Sequence, residues 1–187
     1  MENATKQIQY IEQMIATAQN NLAESSIYYL IWGWLVFIAA AINYCLLVFS
    51  SYSNSWIAWP ILMTLGAVIS IIAGYKKSTT NKVKTKIDQM LIYLWLGFGI
   101  TLLVVLTGMG SIGAIAIYPL LMALYGLGTF VSGSILNYKP LQVGAVASWV
   151  CASIAFYQVD FANQLILIAT AILFSYIIPG HLLAAKK

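Results

Sequence analysis

The chain has 187 residues, the length of about one domain, and only 14 of them are charged: nine lysines and five acids, with no arginine. Charged residues make up 7% and apolar residues 61% of the sequence, whereas a soluble domain carries about 25% charged residues. So few charges cannot cover the surface of a soluble enzyme, and the composition also excludes a disordered protein and a secreted disulfide scaffold. The sequence therefore indicates a membrane protein.

The N-terminal residues 1–26 predict an amphipathic helix that precedes the membrane domain. Its apolar side chains recur at helical spacing and are Ile8, Ile11, Ile15 and Leu22. The polar face lacks the lysine and arginine excess of a helix that binds anionic lipid. Two interpretations stay open: the helix lies in the membrane interface through apolar burial alone, or its stripe packs on a partner helix. The segment also lacks the order of a cleavable signal peptide, so we expect the first membrane helix to act as an uncleaved signal.

Residues 27–187 predict six membrane-spanning helices, because a span needs about 20 mostly apolar residues. The predicted spans are 27–49, 56–75, 89–107, 115–136, 141–158 and 163–184. The segments between them are short and rich in turn-forming residues, including a glycine-rich turn at 108–113. The apolar runs are continuous rather than alternating, which argues against a β-barrel. The predicted fold class is an all-α polytopic membrane protein, with six transmembrane helices as three hairpins plus the N-terminal helix.

The lysines predict the orientation of the chain, because short cytoplasmic loops carry an excess of positive charge. They lie in the N-terminal segment, the second loop, the fourth loop and the C-terminus: Lys6; Lys76, Lys77, Lys82, Lys84 and Lys86; Lys139; Lys186 and Lys187. With six spans, all nine fall on one side. We therefore expect both termini to lie in the cytoplasm. Lysines at helix ends do not form the clustered face of a nucleic-acid binder, so no nucleic-acid partner is expected.

Two sequence patterns concern helix packing. Residues 59–65 and 118–124 align without gaps, which places Pro60 and Pro119 in equivalent positions, expected in the first turn of their helices, where the missing N–H is not needed. Small residues also recur at four-residue spacing, which permits close approach of helices in lipid: Gly66, Ser70 and Gly74; Thr129 and Gly133; Gly144, Ser148 and Ala152. We interpret these ridges as contacts within the bundle, with a homodimer contact as the alternative.

The predicted spans contain few side chains that could take part in catalysis or ion binding. Ionisable side chains are absent from the predicted midplane, and a single histidine, His181, allows no Ser–His–Asp set. Cys45 and Cys151 lack metal or redox spacing. We therefore expect no catalytic residue, no metal and no cofactor. Asn43 is the costliest polar side chain to leave in lipid, and is expected either to bond between helices or to line a polar pocket. The candidate pocket residues are Asn43, Ser70, Thr129 and Ser148.

Three segments carry a resemblance to known proteins: residues 32–34 (Trp-Gly-Trp), the Tyr118-Pro119 pair and residues 178–183 (Ile-Pro-Gly-His-Leu-Leu). Over nearly the whole chain the sequence resembles a group of small, uncharacterised six-helix bacterial inner-membrane proteins. In architecture and proline placement it is also similar to the HdeD acid-resistance membrane family. Neither resemblance implies catalytic or binding residues.

Two functions are compatible with these features. The first is a non-enzymatic, regulatory membrane component whose N-terminal helix and lysine-rich loop (76–86) dock a cytoplasmic protein or anionic lipid, since the conspicuous exposed features share one side. The alternative is a transporter or channel for a small neutral or amphipathic molecule, with a path lined by Asn43 and the serine and threonine hydroxyls.

Overall fold

The computed structural model describes residues 2–50, 54–79, 86–157 and 160–185, with side chains described from Ser26 onward except at 76–79 and 86. The described part is helical apart from short turns and contains no strand. Its helices are α1 (Glu2–Phe49), α2 (Ala58–Thr79), α3 (Lys86–Thr107), α4 (Met109–Ile112), α5 (Ala114–Ile135), α6 (Lys139–Tyr157), α7 (Phe161–Ile172) and α8 (Ile178–Ala184). A 3₁₀ turn (Ser55–Ile57) precedes α2, and a π-helical segment (Leu173–Ile177) joins α7 to α8.

Six helical stretches are long and apolar enough to cross a membrane, which confirms the predicted fold class. They are Ser26–Phe49, Ser55–Tyr75, Ile87–Ile112, Ala114–Ile135, Lys139–Tyr157 and Phe161–Ala184. The predicted hairpin partners do pack together, α1 with α2, α3 with α5, and α6 with α7, but the most extensive contact joins α5 to α6, which belong to different predicted hairpins. We call the end of the bundle that holds Ser26 and Ala184 the terminal face, and the end that holds Phe49 and Ala114 the opposite face.

Two segments differ from the sequence-based expectations. The predicted turn at 108–113 contains the short helix α4, and the chain reverses only at Gly113, whose φ of +79° is favourable for glycine. Pro119 is the sixth residue of α5 rather than part of its first turn, so the prediction for it was wrong. A proline there removes an N–H that the carbonyl of Ile115 would otherwise receive.

The first helix is much longer than a membrane crossing. α1 is continuous from Glu2 to Phe49, while its span begins only at Ser26. Residues 2–25 therefore extend the same helix beyond the span by about 36 Å, at about 1.5 Å per residue. The predicted boundary between residues 26 and 27 falls inside this continuous helix.

The helices form a central group and a periphery. The buried core comes mainly from α1, α5, α6 and α7 with the π-helical segment. α2 packs on α1 and α3 packs on α5, and α3 has no fully buried residue among those described. Within the described ranges, no Cα atom of α1 lies within 8 Å of one in α5, and the same holds for α2 and α3. α1 and α5 are instead joined by side chains, such as Asn43 with Tyr118 and Tyr29 with Ser132.

The π-helical segment passes between two glycines. A Cβ atom at Gly33 of α1 would lie 3.0 Å from the Cβ of Tyr176, and one at Gly144 of α6 would collide with the carbonyl oxygen of Phe174. A π turn is wider than an α turn, and the missing side chains let both neighbours approach it. The predicted ridge at Gly144 is therefore a contact within the bundle.

The aligned segments do not pack alike. Gly133 meets α6, where an added Cβ would lie 2.9 Å from the Cβ of Leu141, whereas a Cβ at the equivalent Gly74 would meet nothing within 4 Å. Gly66 does lie at a helix contact, since its added Cβ would come within 2.8 Å of Leu35. The small-residue ridges are thus bundle contacts at Gly66 and Gly133 but not at Gly74.

Candidate functional site

Asn43 is the centre of a hydrogen-bond cluster at the opposite face. Its side chain is fully buried. With the amide oriented to satisfy both its ends, the nitrogen donates to the hydroxyl and the carbonyl oxygen of Ser55 (3.1 Å each), and the oxygen accepts from Trp59 Nε1 (2.9 Å). The Tyr118 hydroxyl also contacts Asn43, and the Trp59 and Tyr118 rings meet edge to face at 5.8 Å. Asn43 thereby links α1, the 3₁₀ turn, α2 and α5.

Replacing Asn43 with leucine is expected to lower the free energy of unfolding by about 2 kcal/mol. The change leaves the Trp59 N–H and the Ser55 hydroxyl buried without their partner, at a cost of about 1–3 kcal/mol per unsatisfied group, which alternative partners in a membrane reduce. Denaturant titration of the purified protein in detergent measures the difference. Asn163→Leu, at an exposed position in α7, is the matched control, with an expected change within about 0.5 kcal/mol. Equal effects of the two substitutions would contradict the assigned role of Asn43.

Each of the other three candidate pocket residues makes its own hydrogen bond, apart from the Asn43 cluster. The Thr129 hydroxyl donates to the carbonyl of Tyr125 (2.9 Å), within its own helix. Ser148 donates to the carbonyl of Met122 (3.0 Å) and so joins α6 to α5. Ser70 accepts from Trp32 Nε1 (3.1 Å), between α2 and α1. The structure brings none of these three into the Asn43 cluster.

Seven of the nine candidate docking residues have a described backbone, which lies at or beyond the terminal face. The backbones of Ile8, Ile11, Ile15 and Leu22 belong to α1, those of Lys76 and Lys77 to α2, and that of Lys86 to the start of α3. The side chains of these seven residues lie outside the described part, as do Lys82 and Lys84 entirely. A crevice of about 650 Å³ does occur at this face, lined by Asn137, Tyr138, Lys139, Pro140, Leu182 and Ala185.

Gln164 has a role that sequence reasoning missed. Its side chain is fully buried, and Nε2 donates to the carbonyl of Ile115 (3.0 Å) and to that of Ala155 (3.1 Å). The Ile115 carbonyl is the one that Pro119 deprives of its helical N–H, and Ala155 lies in the last turn of α6, where carbonyls lack helical partners. Gln164 therefore ties α7 to α5 and α6. Pro119 indicates from the sequence that the Ile115 carbonyl needs another donor, but nothing near it in the sequence identifies Gln164 as that donor.

Aromatic side chains fill the space between α1, α3 and α5. The Tyr29 ring lies 5.9 Å from that of Trp95 and 6.0 Å from that of Tyr176 between centroids, and Trp95 and Tyr176 are 6.2 Å apart. Tyr125 adds a further edge-to-face contact to Tyr176 at 5.9 Å. We call these four residues the aromatic cluster. Tyr29 and Trp95 thus lie in ring contacts between helices.

Two described ionisable side chains, Asp160 and His181, lie near the ends of the last span. The Asp160 carboxylate accepts from the Ala162 N–H (3.3 Å) and caps the start of α7. His181 is exposed at the terminal face, where Trp34 Nε1 approaches its Nε2 at 3.4 Å. Among the described residues, no three His, Cys, Asp or Glu side chains come together as a metal site would require.

The fold thus defines an integral, multi-pass helical membrane protein. Comparison of the chain with protein-family models, with curated proteins and with solved structures finds no match.

Proposed function

We propose that the protein is a non-enzymatic component of a bacterial inner membrane that docks a cytoplasmic protein partner. The contact surface is the N-terminal part of α1 together with the lysine-rich segment 76–86. Both termini are cytoplasmic in this proposal, since the nine lysines then obey the positive-inside rule.

The continuity of α1 is the observation that carries the proposal. A helix that lies flat on a membrane needs a break before the spanning segment, and α1 runs through without one from Glu2 to Phe49. Because the helix is unbroken, its N-terminal part extends away from the bilayer. The apolar stripe would there face water unless a protein partner covers it. An apolar stripe at helical spacing is the feature that a helix-in-groove contact uses.

The polar side chains inside the spans also favour a docking role over a transport path. Asn43 and Gln164 bond across helices, and the Thr129 hydroxyl bonds to its own helix. The bonds of Asn43 and Gln164 join helices, and all three residues use polar groups that a polar path would need.

A photo-crosslinking amino acid at single positions of the full-length protein tests this in cells. Positions 11 and 15 lie on the apolar stripe, while positions 13 and 20 lie on the other side of the helix. We expect one protein adduct from the stripe positions and none from the polar ones. Adducts at both faces in equal yield, or adducts to lipid alone, would overturn the proposal.

Substitution of the stripe measures its contribution to partner binding. Ile11→Ser with Ile15→Ser is expected to weaken binding at least about 100-fold, because each buried isoleucine contributes about 1.5–3 kcal/mol. Gln13→Ser with Asn20→Ser is the matched control and should leave the affinity unchanged. The partner identified by crosslinking, titrated against the protein in lipid nanodiscs, provides the measurement. An equal loss in both double variants would contradict a stripe-specific contact.

A further inference from the structure

The hydroxyl of Tyr176 lies unpaired in the middle of the last span. The side chain is 3% exposed, and its hydroxyl has no hydrogen-bond partner among the described residues. By contrast, the neighbouring Tyr29 hydroxyl bonds with the side chains of Ser132 and Trp95. A buried unpaired hydroxyl disfavours the folded state, and phenylalanine would fill the same space without that penalty. We therefore expect the hydroxyl to have a role other than stabilising the fold.

Tyr176 also lies in an unusual piece of backbone. It belongs to the π-helical segment Leu173–Ile177, held between Gly33 and Gly144. π turns inside α-helices occur frequently at functional sites. Here the π turn directs the Tyr176 ring against those of Tyr29, Trp95 and Tyr125.

Trp95, on the peripheral helix α3, is the most exposed member of the aromatic cluster, being partly buried, whereas Tyr29, Tyr125 and Tyr176 are buried. The Cα atoms of α2 and α3 stay more than 8 Å apart in the described ranges, as do those of α1 and α5. A molecule dissolved in the membrane must therefore displace side chains to reach Tyr176, but it need not separate closely packed backbones of these two helix pairs.

We propose that the aromatic cluster binds a neutral, planar, lipid-soluble molecule that carries a hydrogen-bond-accepting oxygen. The Tyr176 hydroxyl donates to that oxygen, and the rings of Tyr29, Trp95 and Tyr125 flank the plane of the molecule, as aromatic rings do in stacked or edge-to-face pairs. None of the four cluster residues carries a charge at neutral pH, which favours a neutral ligand over an ion. This site is independent of the docking surface proposed above.

A matched pair of probes isolates the hydrogen bond. Duroquinone and durene share a tetramethylated ring, but only duroquinone has carbonyl oxygens. Calorimetric titration of the full-length protein in detergent is expected to show that duroquinone binds about tenfold more tightly than durene, the usual size of one net hydrogen bond. In Tyr176→Phe the preference disappears, because duroquinone weakens about tenfold while durene is unchanged.

Two further measurements keep the test decisive. Without ligand, Tyr176→Phe is expected to raise the melting temperature, since it removes an unpaired buried hydroxyl. Tyr157→Phe, at a side chain that is 89% exposed, should change neither affinity nor melting temperature. The proposal is overturned if wild type does not prefer duroquinone, if Tyr176→Phe keeps the preference, or if Tyr176→Phe melts at a lower temperature.

Discussion

Gly144→Ala is expected to lower the free energy of unfolding by about 3 kcal/mol. The added methyl group would collide with the Phe174 carbonyl oxygen and lie 2.8 Å from the Cα of Ser175. Both are backbone atoms of the π-helical segment, so relief requires α6 to move away from it. Overpacking of this kind typically costs about 1–3 kcal/mol, and more where the neighbour cannot yield. Denaturant titration in detergent, followed by circular dichroism, measures the loss.

Gly97→Ala is the matched control for this prediction. Gly97 lies in α3, where an added Cβ meets nothing within 4 Å. Alanine is the better helix former by about 0.5–1 kcal/mol, so this variant should be slightly more stable than wild type. Similar changes in both variants would show that Gly144 does not hold the π-helical segment against α6.

Gln164→Leu is expected to destabilise the protein by about 2–3 kcal/mol. The substitution keeps the size and apolar surface of the side chain but removes the donor to the carbonyls of Ile115 and Ala155. Each buried carbonyl left without a partner costs about 1–3 kcal/mol. The Ile115 carbonyl has no helical N–H to replace Gln164, because the residue four positions later is Pro119. The same denaturant titration detects the change.

A double-mutant cycle with Pro119→Ala tests the cause. Alanine at 119 restores an N–H that the Ile115 carbonyl accepts within α5, so Gln164→Leu should then cost about 1 kcal/mol less than in the proline background. Additive effects would mean that Gln164 does not compensate for the proline. The exposed Gln89 offers a control, since Gln89→Leu should change stability by less than about 0.5 kcal/mol.

The six spans were predictable because the relevant property is local. A run of about 20 apolar residues has only one favourable position in a bilayer, and the observed spans begin and end within a few residues of the predicted ones except where α4 extends the third. The candidate polar residues were less predictable. Asn43 was expected to bond between helices or to line a polar pocket, but its partners could not be named, because Ser55 and Trp59 lie at the start of the second span and Tyr118 lies in the fourth.

The sequence by itself determined the number of spans, the hairpin order and the amphipathic stripe of α1, since these follow from hydropathy and periodicity along the chain. Only the tertiary structure decided which of two equivalent glycines is packed, as Gly133 is and Gly74 is not. The same holds for the π turn around Tyr176 and for the bond from Gln164 to a carbonyl 49 residues away. In a membrane an apolar helix face can contact either lipid or another helix, so hydropathy does not predict which faces pack together. Close packing and hydrogen bonds between helices determine the packing.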